Sequence, residues 1–341
     1  MSAATMRDVA QLAGVSVKTV SNVVNRAPHV TDATAQKVQA AIAQLGYRMN
    51  FAARSLSLGR TGMITLAVPQ LSLPYFAELC DDVIQAAARR GYTVLLEQTG
   101  GQHQHELGVL TSDRRRMTDG LIFSPIGLRE EDAEHLAVRF PMVLLGERPL
   151  NPTLEHVAME NRAGARAVTE HLLELGRRRI AVVGTYDTGE TGAGYLRTSG
   201  YLDALEAWGV EREPVLRGTA TAWDLENGAR AIREVLERCR AAGTTIDAVF
   251  ALNDALALGA IRELLDQGLR VPGDIAVAGF DDIKEAGFAS PRLTTVDPGR
   301  KEIARRAVDL LLGQILDPGG EHPSGTVSPP FTLRARESTL G

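Results

Sequence analysis

Over the first 46 positions, apolar residues recur at helical spacing in three short bursts, each with a capping residue in front and a break behind. Thr5 is placed to cap the first helix, with Asp8 in its first turn. Val9 and Leu12 stand three apart, the spacing that turns two side chains toward one core. Gly14 can take the left-handed conformation that ends this helix. Ser16 caps a second helix, predicted over 17–25, with Val20, Val23 and Val24 facing inward. Val30 and Thr31 open a third, which carries Val38, Ile42 and Leu45 and stops at Gly46. Asn50 can cap one more helix, to about Leu58. Isolated helices below about 12–15 residues are marginal in water, so this one needs partners.

From Gly62 the period changes. Strand-sized apolar runs at 63–68, 93–97, 120–123, 142–145, 180–183, 248–251 and 275–278 alternate with helical stretches such as 76–90, 163–175 and 225–240. This alternation predicts an α/β body of parallel sheets covered by helices, with enough strands for two sheets. The expected division is a helical head over 1–48, a linker over 49–60 and a body over 61–341.

Charge sharpens that division. The chain carries a net −5, which alone argues against a nucleic-acid partner. Up to Arg60, however, seven basic residues face only Asp8 and Asp32, a local +5 that leaves −10 for the remainder. A basic head would be drawn to phosphates and an acidic body repelled by them.

The first helix pair has helix-turn-helix spacing: Ala10, Gly14 four residues on, and Val20 six beyond. An ordinary helical hairpin could share that triplet, but the caps, the third helix and the local charge favour DNA. In this geometry the second helix enters the major groove. Its outward positions are Val17, Lys18 and Asn22, suited to a thymine methyl, guanine acceptors and adenine respectively. Ser16, Thr19, Ser21, Asn25 and Thr34 carry short polar groups suited to phosphate oxygens, and Thr5, Tyr47 and Asn50 join that expected surface. Ala52 and Ala53 would let a symmetry mate approach closely, and Leu56 would wedge into a minor groove. A plain flexible linker is the other reading of that stretch.

Other chemistry is thin. No apolar run approaches the roughly 20 residues of a membrane span, and the first ten residues have no apolar signal-peptide core, so no membrane partner and a cytoplasmic location are expected. Cys80 and Cys239 read as reduced structural thiols. His103, His105 and Glu106 lack a fourth metal ligand and are expected on a solvated surface, as is the run Arg114 to Arg116. The glycine-rich stretch 184–194 lacks the Lys-Ser/Thr of a phosphate loop, and no nucleophile elbow occurs. Neither a cofactor nor an enzymatic activity is expected.

The string Asp8-Val9-Ala10-Gln11-Leu12-Ala13-Gly14-Val15-Ser16, then Thr19-Val20-Ser21-Asn22-Val23-Val24-Asn25, then Leu45-Gly46-Tyr47, resembles the LacI/GalR family of repressors. Phe331 to Thr339 is similar to that family's usual last strand. The resemblance implies a homodimer, a pseudopalindromic double-stranded operator, and hinge helices whose paired leucines, here Leu56, open the central base step. It also implies a body like the periplasmic sugar-binding proteins: two Rossmann-like lobes with a ligand cleft between them. The lobes would span about 61–160 with 293–325, and 161–292 with 326–341. Several relatives have charged or bulky residues where Val17 and Asn22 stand, so an operator sequence does not carry over.

Open parallel sheets bind ligands beyond the carboxyl ends of their strands. Polar or aromatic residues follow strands at Tyr75 and Phe76, at Arg197, at Asn253-Asp254 and at Asp281-Asp282, with Trp223 ahead of a helix. Their chemistry suits a polyol: an arginine fork and a carboxylate take paired hydroxyls, an amide supplies donor and acceptor, and an aromatic face covers C–H groups. The resemblance carries effector contact onto Arg197, Trp223, Asn253 and Asp281, onto the aromatic pair Tyr75 and Phe76, and more loosely onto Gln70. Glu147 is a weaker candidate. Asp254 is expected to cap a helix or bridge the lobes, Asp282 to cap or to touch ligand, and the three aromatics could instead be core. The expected function is a repressor released from DNA by a sugar-like inducer. The alternative is a purine-like corepressor; a solute-binding protein, or a hydrolase using Asp281 or Glu147, stands further off. The last residues, 338–341, show no heptad tail, so a dimer rather than a coiled-coil tetramer is expected.

Overall fold

The computed structural model describes residues 4–24, 30–47, 60–111, 117–136, 140–148, 150–151, 153–185, 192–320 and 324–341. Asn25, Asn50, Ala53, Leu56, the helix expected from Asn50 to Leu58, and Arg114 to Arg116 lie outside the described residues. Two compact units divide the chain, Met1–Thr61 and Gly62–Gly341.

The first unit contains α1 (Met6–Ala13), α2 (Val17–Val24) and α3 (Asp32–Leu45). Thr5 and Asp8 form a capping box, and Gly14 and Gly46 end α1 and α3 at φ 65° and 58°. Val9, Ala10, Val20, Val23, Val38 and Ala41 make the core. Leu12, expected inside, is 45% exposed, and Leu45 is 36% exposed. The α1 stripe passes through Val9, Ala10 and Ala13 instead, because small alanines let the helices cross closely where a leucine would hold them apart.

In chain order, the second unit contains β1 (Met63–Val68), α4 (Pro74–Arg89), β2 (Thr93–Gln98), α5 (His103–Thr111), β3 (Leu121–Phe123), α6 (Ala133–Leu136), β4 (Met142–Leu145), β5 (Glu155–Val157), α7 (Asn161–Glu174), β6 (Ile180–Thr185), α8 (Ala193–Ala207), β7 (Arg217–Thr219) and α9 (Leu225–Ala241). There follow β8 (Ala248–Ala251), α10 (Asp254–Asp266), β9 (Ala276–Ala278), β10 (Thr295–Asp297), α11 (Arg300–Leu316), β11 (Gly325–Val327), β12 (Thr332–Arg334) and α12 (Glu337–Leu340).

A six-stranded parallel sheet of order β11-β5-β4-β3-β1-β2 builds lobe one, and a four-stranded parallel sheet of order β7-β6-β8-β9 builds lobe two. Interior strands such as β4, β6 and β8 are buried along their whole length, as strands covered on both faces must be. Residues of α4 and α11 cover one face of the first sheet, and Val109, Leu110 and Leu136 pack on the other. A single core joins the second sheet to α7, α8, α9 and α10.

The chain crosses between the lobes three times, after β5, after β10 and after β11. Leu293 and Val296 lie in the lobe-two core, and β11 pairs with β5 of lobe one. The later crossings therefore fall near 298 and 328, not at the expected 293 and 325. β3 and β9, also three residues long, are apolar throughout and stand out in sequence, whereas β5, β7, β10, β11 and β12 mix polar residues into three positions, too few for a period-two pattern to register. The strand expected through Thr339 ends at Arg334, and α12 follows. The Ser338 hydroxyl donates to Val277 O at 2.6 Å, which anchors α12 to β9.

Candidate functional site

In the head, a helical period places Val17, Lys18, Ser21 and Asn22 on one side of α2, opposite the buried Val20 and Val23. Val17 and Lys18 are exposed at its N-terminal end, while Ser21 and Asn22 are half-buried. The Ser16 hydroxyl caps α2, accepting Thr19 N at 3.1 Å and meeting the Thr19 hydroxyl at 2.9 Å. Thr34 likewise donates its backbone N–H to the Thr31 hydroxyl at 3.4 Å and meets it side chain to side chain at 2.9 Å. Thr5 is committed to its capping box, which also holds the Asp8 carboxyl below its ordinary range. Tyr47 packs on the head core. Thr5, Ser16, Thr19 and Thr34 thus serve the helix caps, whereas Val17 and Lys18 are presented at the start of α2.

Between the two lobes of the second unit lies a cleft of about 460 Å³. All seven residues expected at the effector, Gln70, Tyr75, Phe76, Arg197, Trp223, Asn253 and Asp281, line it, and so does Glu147. Within each sheet the parallel strands open their carboxyl ends onto one edge, and the lining shows that these edges of both sheets face the cleft.

Arg197 and Asp281 form the charged centre. Arg197 Nη2 stands 3.1 Å from Asp281 Oδ1, with side-chain exposures of only 3% and 6%. The approach is oblique, and Oδ1 receives no aligned hydrogen bond among the described residues. Arg197 is otherwise well held: Nε donates to Asn161 Oδ1 at 2.7 Å, Nη1 donates to Leu252 O at 2.5 Å, and the guanidinium lies 3.7 Å from the Phe280 ring centroid. Burial pushes the Asp281 carboxyl up to about 6, against the opposing pull of Arg197. The Tyr75 hydroxyl is raised well above its usual range by burial and then by the charges of Asp281 and Glu147.

The backbone carrying Asp281 is itself unusual. Asp281 and Asp282 have φ of 114° and 49°, left-handed values that L-residues adopt only when their surroundings impose them. The fully buried Asp254 supplies part of that constraint, accepting Ile283 N at 2.9 Å and the Thr295 hydroxyl at 2.5 Å. Burial and then the Asp281 charge hold the Asp254 carboxyl well above its ordinary range. Asp254 is therefore not the expected cap. Asn253 caps α10, with Oδ1 accepting Leu256 N at 2.9 Å. Asp282 caps nothing and pairs with Arg336 at 2.6 Å, away from the cleft lining.

The aromatics are both packing and lining groups. Tyr75 and Phe76 meet edge to face, 5.3 Å between centroids at 74°. Trp223 packs against the lobe-two core, donates Nε1 to Gly184 O at 2.9 Å, and accepts Asn253 Nδ2 on its own carbonyl at 3.2 Å. Gln70 is exposed and donates to the Ser72 hydroxyl at 2.8 Å. Asn161, at the start of α7, is a site residue that sequence reasoning misses. Its only sequence signal is an Asn opening a helix just after a crossing too short to recognise.

Elsewhere, Glu106 contradicts the solvated surface expected of it. It is fully buried and accepts the backbone N–H groups of Ile126, Gly127 and Leu128 at 2.9, 2.8 and 2.8 Å. His103 pairs with Asp132 at 2.8 Å, and no His, Cys, Asp or Glu group among the described residues is arranged to hold a metal. No helix among them is long and apolar enough to cross a membrane.

Residues 5–50 match the family model for bacterial regulatory proteins, lacI family, and residues 169–339 match that for a periplasmic binding protein-like domain. The HTH-type transcriptional repressor PurR of Vibrio atlanticus is 32% identical over 341 residues, covering 99% of each chain. The ribose operon repressor of Halalkalibacterium halodurans is 35% identical over 339 residues, covering 99% of this chain and 97% of its own. The structure of the lac repressor dimer bound to operator and the anti-inducer ONPF is similar over 100% of both chains, at 27% identity and a TM-score of 0.82.

Proposed function

The chain belongs to the LacI family of bacterial regulatory proteins, and from that premise we propose that it is an operator-binding repressor whose inter-lobe cleft takes a sugar-like inducer. One observation carries the ligand reading: Arg197, Asp281, Asn253 and Trp223 converge with Tyr75 and Phe76 on a single cleft. A guanidinium, a carboxylate and an amide beside aromatic faces suit a ring bearing adjacent hydroxyls. Val17, Lys18 and Asn22 read base edges, and the hydroxyls of Ser16, Thr19 and Thr34, besides serving the helix caps, face phosphates together with Ser21. The protein acts as a dimer on a pseudopalindromic operator, as a regulator rather than an enzyme. Leu56 wedges the central base step, and effector binding separates the paired hinges. Operator and effector weaken each other by the same factor.

Gel shift with genomic fragments flanking the gene, with and without pentoses, hexoses, disaccharides and purine bases, tests this reading. Release of a bound fragment by one sugar supports it. Binding that appears only when a purine is added replaces it with the corepressor reading, which the Tyr75–Phe76 pair favours as a stacking surface for a planar base. Leu56→Ala is expected to weaken operator binding strongly while leaving effector affinity of the free protein intact; unchanged operator binding overturns the hinge role.

A further inference from the structure

Asn161 opens α7 directly after the first crossing and is 1% exposed. Its amide holds two groups that come from different lobes. Nδ2 donates to Glu147 Oε1 of lobe one at 3.0 Å, and Oδ1 accepts Nε of Arg197 of lobe two at 2.7 Å. We propose that Asn161 is a positioning residue for the cleft: its amide bridge sets Glu147 and Arg197 in register, so the two walls present one joint site to the effector. The inference rests on the cleft being the effector site.

Both ends of the bridge need it. Glu147 sits on the short turn after β4, where Gly146 takes φ 116°, and leans on Asn161 across the lobes. Arg197 is a buried cation whose aim toward Asp281 depends on where its Nε is tethered. The amide donates to a carboxylate on one side and accepts from a guanidinium on the other, which neither a carboxylate nor an ammonium at this position could do. A carboxylate at position 161 would keep the Arg197 bond but confront Glu147 with a like charge. As a mere helix-start residue, Asn161 would behave oppositely, because an acid at a helix N-terminus is favourable.

A double-mutant cycle separates the two roles. Asn161→Asp, Glu147→Gln and the double variant are prepared with Trp208→Phe, which leaves Trp223, 5.3 Å from the Arg197 guanidinium, as the single indole. The probe is whichever of ribose, cellobiose and adenine raises the melting temperature of the otherwise unaltered protein. The expected results are at least a roughly tenfold loss of probe affinity in Asn161→Asp, about 1.4 kcal/mol, and recovery to within about threefold in the double variant, where the new amide at position 147 donates to the new carboxylate at position 161. Acrylamide quenching of Trp223 is expected to follow the same non-additive pattern. Additive effects, or an Asn161→Asp variant that binds normally, would overturn the proposal. If none of the three probes shifts the unaltered protein, the effector reading fails on these ligands, and the quenching cycle without ligand still decides the bridge.

Discussion

The Asp281 carboxylate stands 3.1 Å from Nη2 of Arg197, yet its Oδ1 receives no aligned hydrogen bond among the described residues. A buried carboxylate in that condition has acceptor capacity left for a ligand hydroxyl or N–H. Burial raises its pKa from 3.8 to about 6, so a proton competes with the ligand for the same oxygens. Effector affinity should fall as pH drops through about 6 and level off above it. The empty protein behaves oppositely: a raised carboxyl binds its proton more tightly folded than unfolded, so its contribution to stability is lost as pH rises from about 4 to about 6. Titration calorimetry at about pH 5 and about pH 7.5, with Asp281→Asn as the reference, checks the first claim. An equal pH dependence in the variant would assign it elsewhere.

Glu106 supports the cleft rim from behind. Its carboxylate takes three consecutive backbone N–H groups from 126–128, and Ile126 lines the cleft. Hydrogen bonds to charged groups contribute about 1.5–3 kcal/mol each, so Glu106→Ala should speed amide exchange at 126–128 roughly 10- to 100-fold. Exchange confined to its original rate would show that the loop holds itself.

Two glycines in helices should respond to alanine with opposite signs. At Gly200, on α8, an added Cβ would meet Arg162 O at 2.1 Å and Arg166 N at 2.9 Å, backbone atoms of α7 that have no room to yield. Gly200→Ala should cost about 1–3 kcal/mol, and by moving α8 against α7 it should disturb the Arg197–Asn161 bond one turn away. Gly313, on α11, has nothing within 4 Å, and Gly313→Ala should stabilise by roughly 0.5–1 kcal/mol. Denaturant unfolding of both variants reads the pair.

The head offers a third contrast. Val20 is fully buried, and Val20→Ala should destabilise the head by about 2 kcal/mol and weaken every operator sequence alike. Asn22→Ala should relax discrimination at one base pair by about 1–3 kcal/mol and leave head stability nearly unchanged. Binding to a library of single-base operator variants distinguishes a uniform loss from a local one.

Tyr75, Phe76, Arg197, Asn253 and Asp281 are legible in sequence partly for a topological reason, whereas the family resemblance singles out all seven candidates and alone points to Gln70. Once parallel strands are recognised, the residues after them must converge, whatever the exact strand ends. Asn161 is not legible, because its meaning depends on a crossing after the three-residue β5 and on partners 14 and 36 positions away. Leu12 misleads because i, i+3 spacing on an eight-residue helix fits more than one stripe, and the need for a close crossing chooses Ala10. The capping role expected of Asp254 falls to Asn253, because only the fold reveals that the Asp254 carboxylate is needed beneath the Asp281 turn.

The three crossings impose an order of manufacture. The head closes its core within residues 6–47, whereas lobe two is incomplete until β12 and α12, nearly 300 positions further on, have been made. Domains fold broadly in order from the N-terminus as they are synthesised, so the part that grips DNA can mature before the part that governs it. A stop between the linker and β12 therefore leaves a head with an unfinished lobe two, and removing β12 and α12 strikes the same lobe that carries Asp281.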